Sequence, residues 1–282
     1  MKKIMVIGAG TMGMDITQVF AVHGYSVIVH DIKDEILEIS TQKMKKSLAR
    51  LVEKGRISEK EKNATERQVS YTTSLDAAVD VDLVVEAAVE RLEVKRSIFS
   101  SLDEICKKET IFASNTSSIS ITAIASGIKR ADRFIGMHFF NPATVMQLIE
   151  VVRGARTSDA TCKNIEKLAI DIDKTAVVVN DSPGFVVNKI LVPMINEAAE
   201  LLYTGVSTAK SIDSAIKLGA NHPLGPLELG DLIGLDIVVS VMDVLYKKTG
   251  DSKYRCSLLL RKMVRAGDLG RKSGKGFYTY MK

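Results

Sequence analysis

Only three cysteines, Cys106, Cys162 and Cys256, occur in this chain of 282 residues. An odd number without CxxC spacing excludes a complete disulfide framework and a zinc ribbon. It leaves buried or free thiols in a reducing compartment. No apolar run approaches the roughly 18–20 residues that span a bilayer. The opening MKKIMVIGAG has two lysines before an apolar stretch, but the stretch is too short for a secretory signal. A strong charge excess is also missing. The 39 basic and 34 acidic residues leave +5, which does not argue for nucleic acid and suits an anionic small molecule. There is no low-complexity segment and no repeat. What remains is a globular composition, 46% hydrophobic and 26% charged, sufficient for one large domain or two ordinary ones. The expectation is a soluble, cytoplasmic protein without membrane, nucleic-acid or metal partners.

Short β-branched runs alternate with helical stretches over the first two-thirds of the chain. Strands are expected at 4–7, 26–30, 69–72, 83–86, 111–114, 134–138, 148–152 and 176–179, with helices at 12–23, 34–54, 90–106 and 160–172. Apolar strands separated by helices argue for a mainly parallel sheet covered on both faces. The cluster Asn180-Asp181-Ser182-Pro183-Gly184 then marks a boundary. Beyond it the pattern predicts helices at 185–203, 207–218, 229–249 and 257–266, and one terminal strand at 277–280.

The first strand runs into Gly8-Ala9-Gly10-Thr11-Met12-Gly13, and a helix and a second strand follow. The first glycine permits the tight turn, the second lets backbone approach a pyrophosphate, and the third allows close helix–strand packing. Helix N-terminal amides hold the anion. Asp31 ends the second strand, where a carboxylate accepts hydrogen bonds from a ribose and repels a 2′-phosphate. That favours NAD over NADP, although Lys33 nearby keeps NADP open. A glycine-rich turn without a ligand is the alternative, but strand, helix and acid all stand where the fingerprint needs them. The fold class is therefore α/β, a Rossmann-type mainly parallel sheet domain over 1–183 followed by an all-α C-terminal domain over 184–282.

Of the four histidines, His23, His30 and His222 suit capping, packing and turn roles. His138 instead closes the strand at 134–138, just before Phe139-Phe140-Asn141-Pro142. Ligands of open α/β sheets bind beyond the carboxyl ends of strands, so this ring is the candidate general acid/base. Glu150 interrupts an apolar strand and must find a partner. Either it orients His138, or it faces solvent or Arg153.

Other polar residues interrupt apolar surroundings. At about 100° per residue, Asn188 shares a face with Gly184, Leu191, Val192, Ile195, Ala199 and Leu202, while Lys189, Asn196, Glu197 and Glu200 lie opposite. Asn188 either contacts a ligand between the domains or ties the helix to backbone, and Pro193 is expected to kink that helix. The run Ser114-Asn115-Thr116-Ser117-Ser118 either lines a ligand or caps the next helix. Glu86 to Glu90, with Lys95, reads by itself as an acidic helix start. Lys43, Lys46, Arg50 and Lys54 form one stripe, for phosphates or for solvent.

Taken together, GAGTMG (8–13), EAAVER (86–91), ASNTSS (113–118), GMHFFNP (136–142), SPGFVVNK (182–189), NHPLGPLELGDLIGLD (221–236) and GRKSGKGFY (270–278) resemble the L-3-hydroxyacyl-CoA dehydrogenase family over essentially the whole chain. The similarity is greatest to its short bacterial members acting on 3-hydroxybutyryl-CoA. The resemblance implies an NAD-dependent oxidoreductase of short 3-hydroxyacyl-CoA thioesters, with His138 as acid/base, Glu150 orienting it, and Ser117 and Asn188 on the substrate's oxygens. It implies NAD contacts from Gly8, Gly10, Thr11, Met12, Gly13, Asp31, Glu90, Lys95, Asn115, Ser117, Asn141 and Lys275, and CoA phosphates near Arg50 and Lys54. The apolar helices of the second domain add the expectation of a homodimer. Two other readings are a dehydrogenase of free hydroxy acids, in which a lysine on the central helix is common, and a non-catalytic, crystallin-like relative. Asp15 departs from the pattern, where a small residue is usual. It faces either the pyrophosphate or solvent. Asn180-Asp181 and Asp268 are also locally unusual.

Overall fold

The computed structural model describes residues 1–280. The chain separates into two compact units, Met1–Ser182 and a second that begins at Pro183. The first unit contains β1 (Lys3–Ile7), β2 (Ser26–His30), β3 (Val69–Thr72), β4 (Leu83–Glu86), β5 (Ile111–Ser114), β6 (Phe134–Phe139), β7 (Leu148–Arg153) and β8 (Thr175–Asn180). They form one sheet in the order β3-β2-β1-β4-β5-β6-β7-β8. All neighbours run parallel except β6 and β7, which are antiparallel. The strand order reverses at β1, which lies between β2 and β4. In an open α/β sheet this switch point opens a crevice at the strands' carboxyl ends.

The helices of this unit are α1 (Thr11–Val22), α2 (Asp34–Glu53), α3 (Glu59–Arg67), α4 (Leu92–Ile105), α5 (Ile121–Ala125) and α6 (Asp159–Asp171). Every residue of β4, β5 and β6 is buried, as a sheet covered on both faces requires. On one face Val6, Val29 and Val85 belong to a core with Phe20, Met44 and Leu48. Elsewhere Phe99 of α4 packs against Phe112 and Phe134, with centroids 5.4 and 4.7 Å away. Helix α3 carries almost no apolar periodicity, so the sequence pattern does not show it. A Ser58/Glu61 capping box starts it instead.

The second unit contains α7 (Val187–Tyr203), α8 (Ala209–Gly219), α9 (Pro226–Ile233), α10 (Leu235–Thr249) and α11 (Leu258–Arg265). Three expectations fail here. The single helix at 229–249 is two, because Gly234 at φ 104° breaks it in a conformation that side-chain-bearing residues avoid. The terminal strand at 277–280 does not form. The buried carboxylate of Asp231 accepts from the N–H groups of Phe277 and Tyr278 and from the Tyr280 hydroxyl, so those amides pair with a side chain instead of a strand. Asn196 is not on a polar face. It is buried, accepts from Ser257 N at 2.7 Å and donates to Arg255 O at 3.2 Å. Helix α7 packs against α8, α9, α10 and α11 and buries more than one stripe.

All three cysteines are buried and unpaired. No helix among the described residues is long and apolar enough to cross a membrane.

Candidate active site

The glycine loop connects β1 to α1 at the switch point. Gly8 lies at φ 99°, and a Cβ there would meet Ala87 O at 2.7 Å. A Cβ on Gly13 would lie 1.8 Å from Gly8 O, so the third glycine brings helix and loop together. Nothing lies within 4 Å of a Cβ built on Gly10, which leaves that backbone open to a ligand. No side chain caps α1, whose exposed first residue, Thr11, follows the exposed Gly10. A helix start of this kind presents N–H groups and the positive end of its dipole to an anion. Asp31 stands beside the loop, accepting from Ala9 N and from Ile32 N, each at 2.8 Å. These features fit a dinucleotide, with phosphates on Gly10–Gly13 and ribose on Asp31.

At the carboxyl end of β4, Glu86 does not start a helix. It is 0% exposed and holds Lys95, itself 1% exposed, at 2.7 and 2.9 Å from its two oxygens. Glu86 also accepts from Ala88 N and from the Ser114 hydroxyl. Lys95 reaches Glu90 at 3.2 Å. The Oε1 of Glu90 accepts from the hydroxyls of Thr116 and Ser118 and the N–H groups of Ser117 and Ser118. Burial raises the Glu90 carboxyl, but Lys95 and the two hydroxyls outweigh it and hold it below the usual range. The roles visible for Glu90 and Lys95 are therefore internal, organising the loop that carries Ser117. The cap of α5 is Ser120, so none of residues 114–118 caps that helix.

His138, 5% exposed, stands near the end of β6 and pairs in register with Glu150 of β7, which is 1% exposed. His138 Nδ1 is 2.8 Å from Glu150 Oε2. A carboxylate only accepts, so Nδ1–H donates and the imidazole tautomer follows. Phe140 lies against the ring, centroids 4.5 Å apart. Asn115 Oδ1 accepts from Phe139 N at 2.9 Å, joining the ends of β5 and β6. Asn141, joined to Pro142 by a cis peptide, is exposed just beyond. Asp15 is half-buried and lines the cavity beside Gly10 and Thr11, and its carboxylate accepts from Ala143 N at 3.1 Å. That contact brings the segment after His138 against α1, and so to the glycine-loop side of the sheet.

Lys43, Lys46, Arg50 and Lys54 line one surface groove of about 470 Å3 with Ser47 and Leu51. In the second unit, Asn188 is half-buried in the first turn of α7, and Lys275 pairs with Asp268 at 3.0 Å. The buried Glu86–Lys95 pair was not expected from sequence. Its signal was present in a glutamate ending an apolar strand and a lysine on the helical stripe of Phe99 and Leu102.

A switch-point sheet with this loop and a carboxylate-held histidine defines a dinucleotide-dependent oxidoreductase. The NAD-binding domain family of 3-hydroxyacyl-CoA dehydrogenase matches residues 3–182, and the C-terminal domain family of the same enzymes matches residues 184–280. The chain is 50% identical over 280 residues to 3-hydroxybutyryl-CoA dehydrogenase of Clostridioides difficile, covering 99% of this chain and 100% of that protein. It is 50% identical to a probable 3-hydroxybutyryl-CoA dehydrogenase of Bacillus subtilis (strain 168), over 99% of this chain and 97% of that one. The crystal structure of (S)-3-hydroxybutyryl-CoA dehydrogenase from Ralstonia eutropha is similar at TM-score 0.96 and 47% identity, covering 100% of this chain and 99% of that one. The chain belongs to the 3-hydroxyacyl-CoA dehydrogenase family. Its cofactor is NAD.

Proposed function

We propose that this enzyme interconverts a short-chain 3-hydroxyacyl-CoA and its 3-keto form, with 3-hydroxybutyryl-CoA and acetoacetyl-CoA as the substrate pair. The observation that carries this reading is the His138–Glu150 pair beside the glycine-loop side of the sheet. NAD, which the Gly8–Gly13 loop and Asp31 would hold, would supply the hydride acceptor or donor for C3. With Nδ1 committed to Glu150, His138 exchanges the substrate's hydroxyl proton through Nε2. Neutral imidazole takes the proton in oxidation, and imidazolium returns it in reduction. Glu150 holds the ring's tautomer. Ser117 and Asn188 hold the substrate's oxygens, the first on a loop whose backbone Glu90 fastens. Asn141 and Lys275 complete the cofactor contacts, and the groove at Arg50 and Lys54 takes CoA phosphates.

The nearby Asp31 carboxylate supports NADH over NADPH. Lys189 follows Asn188 on the opposite face of the helix pattern, which argues against a free-hydroxy-acid reading. A homodimer through the helical unit belongs to the same proposal, supported by the exposed Ile190, Val206, Leu218 and Leu258. A cytoplasmic location also belongs to it, supported by the three unpaired thiols.

The test is steady-state turnover of acetoacetyl-CoA with NADH, repeated with NADPH, longer thioesters and free acetoacetate. We expect fast NADH oxidation with the thioester alone. Faster turnover of the free acid would reverse the substrate assignment. NADH binding without turnover of any of these would favour the non-catalytic reading. Sedimentation reads the oligomeric state.

A further inference from the structure

The connection between β6 and β7 joins His138 to Glu150 and carries Asn141. Most of it is exposed, namely Asn141, Pro142 and Thr144 to Gln147. Phe140 is half-buried and Ala143 is fully buried, at 0%. Within the connection, Pro142 O accepts from Val145 N and Met146 N, each at 3.0 Å, which closes the turn but does not attach it to anything. Attachment comes from one backbone bond, Thr175 N to Gln147 O at 2.8 Å, and from three side chains on three different elements. Asn115 at the end of β5 accepts from Phe139 N. Lys174, just before β8, donates to Met146 O at 2.8 Å. Asp15 on α1 accepts from Ala143 N at 3.1 Å. The first two hold the ends of the connection, and Asp15 holds its middle.

We infer that Asp15 is a positioning residue for turnover, a strut from the cofactor helix that keeps the Asn141–Ala143 turn in register with His138. The inference rests on the dehydrogenase reading above. Asp15 also lines a small cavity beside Gly10 and Thr11, so the same residue meets the turn and the start of the helix. Its carboxyl is half-buried, and burial raises it while the Ala143 bond acts the other way. A carboxylate held partly out of water for a single backbone N–H is a costly arrangement unless that N–H needs an acceptor. Displacement of a reacting group by about 1 Å costs on the order of 100-fold in rate, so a turn one residue beyond Phe140 matters to the proton donor's surroundings.

The experiment compares wild type, Asp15→Ala and Asp15→Asn in two measurements. In the first, hydrogen exchange is followed over residues 140–147. Exchange there should accelerate in Asp15→Ala and return toward wild type in Asp15→Asn, whose amide oxygen still accepts. Unchanged exchange in Asp15→Ala overturns the strut, whether or not the chain turns over a thioester. In the second, kcat with acetoacetyl-CoA and NADH should fall about tenfold or more in Asp15→Ala, with KM for NADH within about twofold and recovery in Asp15→Asn. Accelerated exchange with unchanged kcat overturns the positioning role, as does a loss in Tm without a loss in kcat. Equal losses in both variants would assign the effect to charge and overturn it too. A wild-type chain inactive on every thioester, but with Asp15-dependent exchange, overturns the dehydrogenase reading and the positioning role together.

Discussion

His138 and Glu150 face each other directly across the antiparallel β6–β7 pair, Nδ1 to Oε2 at 2.8 Å. Among the described residues, the only antiparallel neighbours in the sheet are the two strands that bring them together. Their cross-strand pairing sets both side chains on strand backbone. His138→Gln should lose turnover by about 10²–10⁴-fold while NADH fluorescence titration shows binding retained. Glu150→Gln should lose less, because the amide oxygen of glutamine can still accept from Nδ1–H and hold the ring. Near-normal turnover of His138→Gln would remove the assignment.

The Glu86–Lys95 pair tests what a buried ion pair does here. Lys95→Met should destabilise the protein by about 3–5 kcal/mol in urea denaturation, because it leaves Glu86 buried without its cation. Replacing both residues, as Glu86→Leu with Lys95→Met, should recover much of that stability. It should not recover activity, since Glu90 would still lack the cation that steadies it against the Ser117 loop. Full recovery of turnover in the double variant would show that the loop does not depend on the pair.

Two asparagines of α7 separate structure from chemistry. Asn196→Ala should cost about 2–3 kcal/mol, since it leaves the buried Ser257 N–H without its acceptor. Turnover per folded molecule should be unaffected. Asn188→Ala should do the reverse, with melting temperature nearly unchanged and kcat reduced. If Asn188→Ala instead melts early with no catalytic defect, its role is to tie the helix.

Acid stability is predicted at Asp82. Burial raises its carboxyl, but the Lys107 ammonium and the N–H groups of Lys2 and Lys3 bring it down to about 2. A carboxylate depressed on folding stabilises fully above its unfolded value and loses that contribution as pH falls through its folded one. The contribution should be complete above about pH 4 and vanish toward about pH 2. Because Asp82 is near the surface, Asp82→Asn should lower Tm at pH 7 by only about 2 °C. Melting curves of the two proteins should converge across that acid window. A difference that persists to pH 2 would contradict the linkage.

Much of the first unit was legible because its elements announce themselves locally. All eight strands lie where the apolar runs place them, and the glycine loop, Asp31 and His138 stand at strand ends that the pattern alone locates. The second unit was less legible. Residue periodicity assumes one buried stripe per helix, and α7 violates this because neighbours on several sides bury Asn196 as well as Val192 and Ile195. The terminal segment has the composition of a strand, but its amides pair with Asp231, 46 and 47 positions earlier.

The sequence by itself determined the strand and helix periods, the turn chemistry of Gly8 to Gly13, and which side chains stand at the carboxyl ends of the sheet. Each of these depends on neighbours a few residues away. Tertiary structure decided what the charged groups do. Glu150 turned toward His138 and not Arg153, Glu86 took Lys95 out of water, and Asp15 took Ala143 N. These partners are separated by 9 to 128 positions. A buried charge is satisfied only by whatever the assembled fold brings within about 3 Å, and no local pattern encodes that distance.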